Sequence, residues 1–103
     1  MASTVSNHVN DNKGILSLKG RFDFSIHRDF RSGYENILKT SGLREIDVDL
    51  HGVDYIDSSA LGMLLLLREK AMAQNVQMKL LSPQDSVRQV LEVANFGRLF
   101  NIA

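Results

Sequence analysis

The most informative absence in this sequence of 103 residues is that of cysteine. A chain without cysteine can form no disulfide, no catalytic thiolate and no cysteine-ligated metal site. Chains free of disulfides are typical of reducing compartments, so we expect a cytoplasmic protein.

An excess of charge of either sign is also absent, since 12 lysine and arginine residues balance 12 aspartate and glutamate residues. Proteins that bind nucleic acid or anionic membranes as their main partner usually carry a basic surplus. We therefore expect no direct nucleic-acid partner.

Long apolar runs are missing as well. The longest, Ala60–Leu67, is interrupted by Gly62 and falls far short of the roughly 20 residues needed to span a bilayer. The N-terminal sequence has no basic segment followed by an apolar one, as a secretory signal would. We therefore expect neither membrane insertion nor secretion.

The overall composition is that of an ordinary globular protein. Apolar residues make up 44% and charged residues 23%, and the length suits one hydrophobic core. We expect a single domain over residues 1–103.

The first half of the chain predicts a β-hairpin, a helix and a strand. Ser3–Val9 and Ile15–Lys19 are strand-like segments around a polar turn at residues 10–14. Apolar residues recur at helical spacing from Ser25 to Leu38. Residues Glu45–Leu50 then alternate between apolar and acidic side chains, which predicts a strand with one buried face.

The second half predicts two further helices with a strand between them. A loop is expected at His51–Asp57, followed by a helix over Ala60–Gln74, a strand at Val76–Leu80 and a helix over Gln84–Ala94. The tail, Phe96–Ile102, is expected to pack on the body. This order predicts an α/β fold whose sheet is mixed but mostly parallel, with an opening hairpin.

An acid and two hydroxyls stand where the Ala60–Gln74 helix begins. Asp57, Ser58 and Ser59 can each cap a first helical turn by accepting a backbone N–H bond. The unpaired amides and the helix dipole also attract anions, so a phosphate can be accommodated there. From these residues alone, an ordinary helix cap is the favoured explanation of the motif.

A longer pattern around this motif resembles that of a known family. The segment IDVDLHGVDYIDSSALGMLLLLREKA is similar to the signature of STAS domains, in particular bacterial anti-sigma factor antagonists. GRFDFS at residues 20–25 resembles the turn before the family's first helix, and NFGRLFNI at residues 95–102 resembles its closing segment. Ala60 stands where many members have glycine. The resemblance implies the STAS fold, with about three to four helices packed on the sheet.

The resemblance also implies a function. In the family, the first serine after the aspartate is the phosphoacceptor, which is Ser58 here, with Ser59 as the alternative. It implies a phosphoprotein of transcription regulation that binds an anti-sigma factor or serine kinase and is released by phosphorylation. A PP2C-type serine phosphatase is the implied opposing partner. Such proteins are not enzymes, and no cofactor is expected.

The Ala60–Gln74 helix also offers candidate partner-binding residues. At 100° per residue, Leu61, Leu64, Leu65, Leu67, Ala71 and Met72 share one face, and we expect that face to be buried. Met63 and Leu66 then point away, either under a neighbouring helix or in a partner surface that includes Asp57 and Ser59. Glycine is unfavourable in a helix, so Gly62 suggests close approach by a partner or by internal packing.

The sequence also offers evidence against three alternative functions. A structural STAS subunit of a lipid-transport ABC system would need no phosphorylation, and the Asp57-Ser58-Ser59 motif argues against it. A phospho-aspartate receiver would need a cluster of acids after the first strand, where only Asp11 is present. Metal or hydrolase chemistry finds no support, because the three histidines lack metal spacing and no nucleophile motif is present.

Overall fold

The protein is described by a computed structural model over residues 3–103, so residues 1 and 2 of the predicted domain lie outside the described part. The strands are β1 (Thr4–Asn10), β2 (Lys13–Phe22), β3 (Glu45–Ile56), β4 (Gln77–Leu81) and β5 (Asn101–Ile102). The helices are α1 (His27–Leu38), α2 (Ser58–Ala73) and α3 (Asp85–Val93). Single turns of 3-10 helix cover Phe24–Ile26 and Phe96–Arg98.

The five strands lie in the sheet in the order in which they occur in the chain. β1 and β2 are antiparallel, and every later neighbour pair is parallel. Because the sheet always grows in one direction and crossovers between parallel strands are right-handed, all three helices fall on the same face. The molecule measures 35 × 31 × 19 Å, and its smallest dimension fits one helical layer on one sheet.

The core lies between the helices and the sheet. Leu16, Val48 and Leu80, from three adjacent parallel strands, are in register and fully buried. They pack in one cluster with the inward faces of the helices, which include Ile37 of α1 and Leu67 of α2. The α/β fold class and the mostly parallel sheet with an opening hairpin are therefore confirmed.

The predicted loop at His51–Asp57 is wrong, because β3 continues as a strand to Ile56. β2 also runs beyond its predicted end at Lys19, and the two strands stay paired through two irregularities in register. Gly52 makes this possible, since a Cβ there would lie 2.8 Å from Lys19 Cγ and 3.0 Å from the Leu18 carbonyl oxygen. A glycine is needed where the two backbones approach so closely.

The C-terminal tail packs on the body, as predicted. The rings of Phe96 and Phe100 are buried and stack with centroids 5.1 Å apart. Residues Asn101–Ile102 then add a short strand to the free edge of β4, an element that the sequence pattern does not predict.

The helix-free face of the sheet carries a compact charge cluster at one end of β3. Lys13 Nζ lies 3.5 Å from Glu45 Oε2 and 3.8 Å from Asp47 Oδ2, and Lys79 Nζ lies 3.5 Å from Glu45 Oε1. Asp47 is only 2% exposed. Burial first, and then the hydrogen bond and negative charge of Glu45, raise the pKa of Asp47 to about 6 against the opposing effect of both lysines.

Candidate functional site

The site is built where β3 ends and α2 begins. Asp57 has an extended backbone and caps the helix, because its Oδ1 accepts a hydrogen bond of 3.1 Å from the Ala60 N–H. The same oxygen accepts a 2.6 Å bond from the Ser59 hydroxyl. Of the three residues that can cap α2, Asp57 is therefore the one that does so.

The two serines that follow have different surroundings. The Ser59 side chain is half-buried and its hydroxyl is held by Asp57. Ser58 is the first residue of α2 and is exposed, and its hydroxyl makes no hydrogen bond with any other residue of the described chain, 3–103. A hydroxyl that is exposed and uncommitted is the one that another protein's active site can reach without disturbing the helix cap.

One turn further along α2, Gly62 opens a gap in the helix surface. The residue is exposed, and a Cβ built on it would meet no atom of residues 3–103 within 4 Å apart from its chain neighbours and the backbone of its own helix. Internal packing therefore gives no reason for glycine here. The remaining interpretation, close approach by a partner, stays a prediction.

The buried face of α2 differs from the predicted one. Leu64, Leu67 and Ala71 are fully buried as expected, but Leu65 is 39% and Met72 is 57% exposed. The prediction that these two residues face the core is wrong. Ala60 is buried as well. The buried face of α2 therefore consists of residues spaced four, three and four apart: Ala60, Leu64, Leu67 and Ala71.

Met63 and Leu66 lie on the side of α2 that faces α1. Leu66 is 47% exposed, as predicted, whereas Met63 is half-buried and packs against the core. Both line an open groove with a volume of about 170 Å³, which we call the α1–α2 groove. It is bounded by Phe24, His27, Phe30, Arg31, Tyr34, Met63 and Leu66.

The most exposed aromatic residue at this groove was not identified from the sequence. Phe24 is 60% exposed, and its ring stacks on His27 with centroids 4.1 Å apart and planes at 9°. It is held by a 3-10 turn that Asp23 caps, because the Asp23 carboxylate accepts a hydrogen bond of 3.0 Å from the Ser25 N–H. The signal was present in the GRFDFS segment, where two phenylalanines flank one aspartate: Phe22 is buried and Phe24 is turned outward.

Charged and aromatic side chains surround the entrance to α2. Arg21 lies over the Tyr55 ring, with its guanidinium carbon 3.9 Å from the ring centroid, and pairs with Asp23 at 3.3 Å. Tyr55 is 40% exposed, and Asp54 beside it is exposed as well. The carboxyl ends of β2 and β3 thus present a mixed polar and apolar rim next to Ser58.

Two properties of the described residues concern metal binding and membrane insertion. Residues 3–103 contain no group of histidine, aspartate and glutamate side chains arranged to hold a metal ion. None of the helices in this part of the chain has the length and apolar character needed to cross a membrane.

Comparison with known proteins identifies the family. The model of the STAS domain family matches residues 4–103. A STAS-domain containing protein of Pseudomonas aeruginosa (strain UCBPP-PA14) is 43% identical over 103 residues, which is 100% of both chains.

Solved structures share the fold at low sequence identity. An anti-sigma factor antagonist from Mycobacterium paratuberculosis superposes with a TM-score of 0.84 at 16% identity, covering 98% of this chain and 85% of that one. The anti-sigma factor antagonist SpoIIAA in its unphosphorylated form superposes with a TM-score of 0.79 at 20% identity, covering 99% of this chain and 88% of that one. In its phosphorylated form SpoIIAA superposes with a TM-score of 0.72 at 20% identity, covering 99% of this chain and 91% of that one. With its five-stranded sheet and three helices on one face, this chain belongs to the STAS domain family.

Proposed function

We propose that this protein is a phosphorylation-controlled regulator that exchanges protein partners in the cytoplasm and catalyses no reaction itself. Its unphosphorylated form binds an anti-sigma factor that is also a serine kinase, or a similar regulator. Phosphorylation of Ser58 releases that partner, and a PP2C-type serine phosphatase reverses the modification. The output is regulation of transcription.

The observation that carries this proposal is the contrast between the two serines. The Ser59 hydroxyl donates a hydrogen bond to Asp57 and belongs to the helix cap, whereas the Ser58 hydroxyl is exposed and makes no hydrogen bond within residues 3–103. The structural relative SpoIIAA exists in unphosphorylated and phosphorylated forms, which supports a modification of this kind in the same fold.

The surroundings of Ser58 support a partner surface there. Gly62 leaves the helix backbone open, and Leu66 and Phe24 expose large apolar side chains at the adjoining α1–α2 groove. Exposed apolar groups gathered around a groove are typical of protein contacts. We propose that a partner covers Ser58, Gly62, Met63 and Leu66, with Asp57 and Ser59 at the rim.

Electrostatics gives the direction of the switch. A phosphoserine brings about −1.5 to −2 charges and three acceptor oxygens. At Ser58 this group would stand beside Asp57 and near Asp54, and a partner seated on the apolar groove would have to desolvate it. The α2 N-terminus offsets only about 0.3 to 1 kcal/mol of that repulsion at an exposed site.

The test has two steps. First, the protein is purified from cells, its phosphosite is mapped and its co-purifying proteins are identified; a phosphate confined to Ser59 or a tyrosine contradicts the assignment. Second, calorimetry compares partner binding by the phosphorylated protein with that by Ser58→Ala, and Ser86→Ala, at an exposed serine of α3, serves as the matched control. We expect phosphorylation to weaken binding roughly 100-fold, or about 2.7 kcal/mol.

Two outcomes would overturn the proposal. Equal or tighter binding by the phosphorylated form would give the mechanism the wrong sign. A Ser58 that is never modified, in a protein that still holds its partner, would favour a bracing subunit of a larger complex instead.

A further inference from the structure

The free edge of the sheet at β1 is unusually open for a folded protein. β1 is an outermost strand and pairs only with β2 among residues 3–103, in a regular seven-residue antiparallel register. Its sequence, TVSNHVN, contains no lysine, arginine, acid or proline. Natural sheets usually protect an edge of this length with charge, proline or a bulge. The opposite edge needs no such protection because β5 has only two residues.

Helix α1 runs along this edge and presents a polar stripe beside it. Asp29, Ser32 and Asn36 of α1 and Lys39, its C-cap, recur at spacings of three and four, and all four are exposed. Asn36 Nδ2 donates to Asn7 Oδ1 at 3.0 Å, which fixes the stripe against the middle of β1. A groove lined by Val5, Asn7, Asp29, Ser32, Gly33, Glu35, Asn36 and Lys39 separates helix and strand.

The stripe is complementary to itself when it is reversed. In an antiparallel copy of α1, Asp29 faces Lys39 and Ser32 faces Asn36, and both pairings repeat by symmetry. Neither Asp29 nor Lys39 has an ion-pair partner within residues 3–103, whereas the neighbouring Arg31 and Glu35 pair with each other at 3.3 Å. The charges at the two ends of the stripe are therefore uncommitted.

β1 can also pair with a second copy of itself, about a twofold axis at Asn7. Antiparallel pairing of two β1 strands centred on Asn7 places Val5 opposite Val9 on the helix-covered face, where both residues are half-buried and pack against the core. Asn36 bonds Asn7, and a Cβ on Gly33 would lie 3.9 Å from Asn7 Nδ2, so residues 33–36 of α1, which include the centre of the stripe, lie beside that point. A single twofold axis can therefore pair the two β1 strands, bring their valines into contact and place the opposite charges of the two stripes face to face.

We propose that the β1 edge is the interface of a homodimer in which two copies pair through β1 to form one continuous ten-stranded sheet, with their α1 helices antiparallel across the twofold axis. Backbone hydrogen bonds between the edge strands supply the main attraction. The interface is at an edge of the sheet, whereas Ser58 follows the central strand β3. The proposal does not depend on the proposed function.

Charge exchange tests the helix contact. Sedimentation equilibrium of the purified chain should show a reversible monomer–dimer equilibrium with a dissociation constant between about 1 µM and 1 mM. Asp29→Lys and Lys39→Asp should each weaken the dimer at least about fivefold, because each sets like charges against each other twice. The double variant should recover wild-type association. Asp85→Lys, an equal charge change on α3, is the matched control and should leave association unchanged.

Disulfide formation tests the strand contact, and the absence of native cysteine makes this measurement clean. Asn7→Cys should yield a covalent dimer on mild oxidation, because residue 7 faces its own copy at the axis. Thr4→Cys should not, since it faces Asn10 of the other copy. A wild-type chain that stays monomeric to millimolar concentration, a double charge variant that fails to recover, or preferential cross-linking at position 4 would each overturn the proposal.

Discussion

Ser58, Asp57 and Ser59 are adjacent in sequence but have separate physical roles. The Asp57 carboxylate satisfies the Ala60 amide and the Ser59 hydroxyl, while the exposed Ser58 hydroxyl contributes nothing to the cap. The three residue types could be recognised from the sequence, but not the assignment of the cap, because all three are good capping residues. The strand geometry at Ile56 decides which of them lies just before the first helical turn.

This division predicts different stabilities for substitutions at the motif. Asp57→Ala removes the cap and should lower the free energy of unfolding by about 1 kcal/mol. Ser58→Ala should change it by less than about 0.5 kcal/mol, as for other exposed sites without a special role. Urea unfolding at neutral pH measures both. A larger loss for Ser58→Ala than for Asp57→Ala would contradict the cap assignment.

Asp47 gives a second prediction, on pH. Because its pKa is raised to about 6, the folded state holds this proton more tightly than the unfolded chain does, in which the pKa is about 3.9. The resulting stabilisation is complete below about pH 4 and is lost as the pH rises through about 6. The hydrogen bond from Asp47, together with both lysines, lowers the pKa of Glu45 despite its partial burial, so the contribution of Glu45 has the opposite sign and is lost as the pH falls below about 4.5.

Replacing Asp47 by asparagine isolates its contribution. From pH 4 to pH 7, the unfolding free energy of Asp47→Asn should gain about 2 kcal/mol relative to the wild type. Asp49→Asn, the next residue on the same face of β3, is the matched control. Parallel pH profiles for Asp47→Asn and the wild type would show that the pKa of Asp47 is the same in the folded and the unfolded protein, and would contradict its raised value.

At the scale of elements, sequence patterns worked best where a single face is buried. The alternation at Ile46, Val48 and Leu50 identified the face of β3 that packs under the helices, and all three residues are fully buried. α2 gave no comparable direction, because Leu64, Leu65, Leu66 and Leu67 place apolar side chains on every side of the helix. Only contacts with α1 and the sheet determine that Leu65 is outside and Ala60 inside.

The end of β3 could not be predicted for a different reason. His51–Ile56 lacks regular alternation because the register with β2 shifts twice along this stretch. The close approach at Gly52 is a property of two strands together, so the sequence of β3 alone predicts a loop. The short β5 was missed because two residues are too few to form a pattern.

The exposed side of α2 allows a prediction about partner binding. Leu66→Glu should abolish binding of the partner and change stability by less than about 0.5 kcal/mol, because Leu66 is 47% exposed. Met72→Glu is the matched control on the same helix, 57% exposed and about 21 Å beyond Ser58 along the axis at 1.5 Å per residue. Equal loss of binding in both variants would mean that the partner does not use the α1–α2 groove.

Met63 tests the depth of the same contact. Because Met63 is half-buried and packs against the core, Met63→Lys should lower the free energy of unfolding by about 1 to 3 kcal/mol in addition to weakening binding. Thermal unfolding and calorimetry on one preparation separate the two effects. A fully stable Met63→Lys would show that the side chain leaves the groove freely.

At the scale of the whole molecule, we expect phosphorylation to leave the fold intact. Ser58 lies outside the core, and the α2 N-terminus favours a negative charge by about 0.3 to 1 kcal/mol at such a site. The melting temperature should therefore change by no more than about 4 to 8 °C, the shift that 1 kcal/mol produces in a domain of this size. A larger fall would mean that release of the partner follows from unfolding of α2 rather than from charge at the interface.

The order of strands in the sheet also has a consequence for synthesis. Each strand pairs with the one translated immediately before it, so the sheet can grow strand by strand as the chain leaves the ribosome. At about 5 to 20 residues per second, several seconds separate the first hairpin from the last strand. During that interval the apolar face of β3 stays uncovered until α2 is made, and the inward side of α2 stays partly uncovered until β4 and α3 are made. Ser58 is therefore synthesised before β4 and α3, so α2 reaches its full packing, and Ser58 its final surroundings, only after those two elements have been translated.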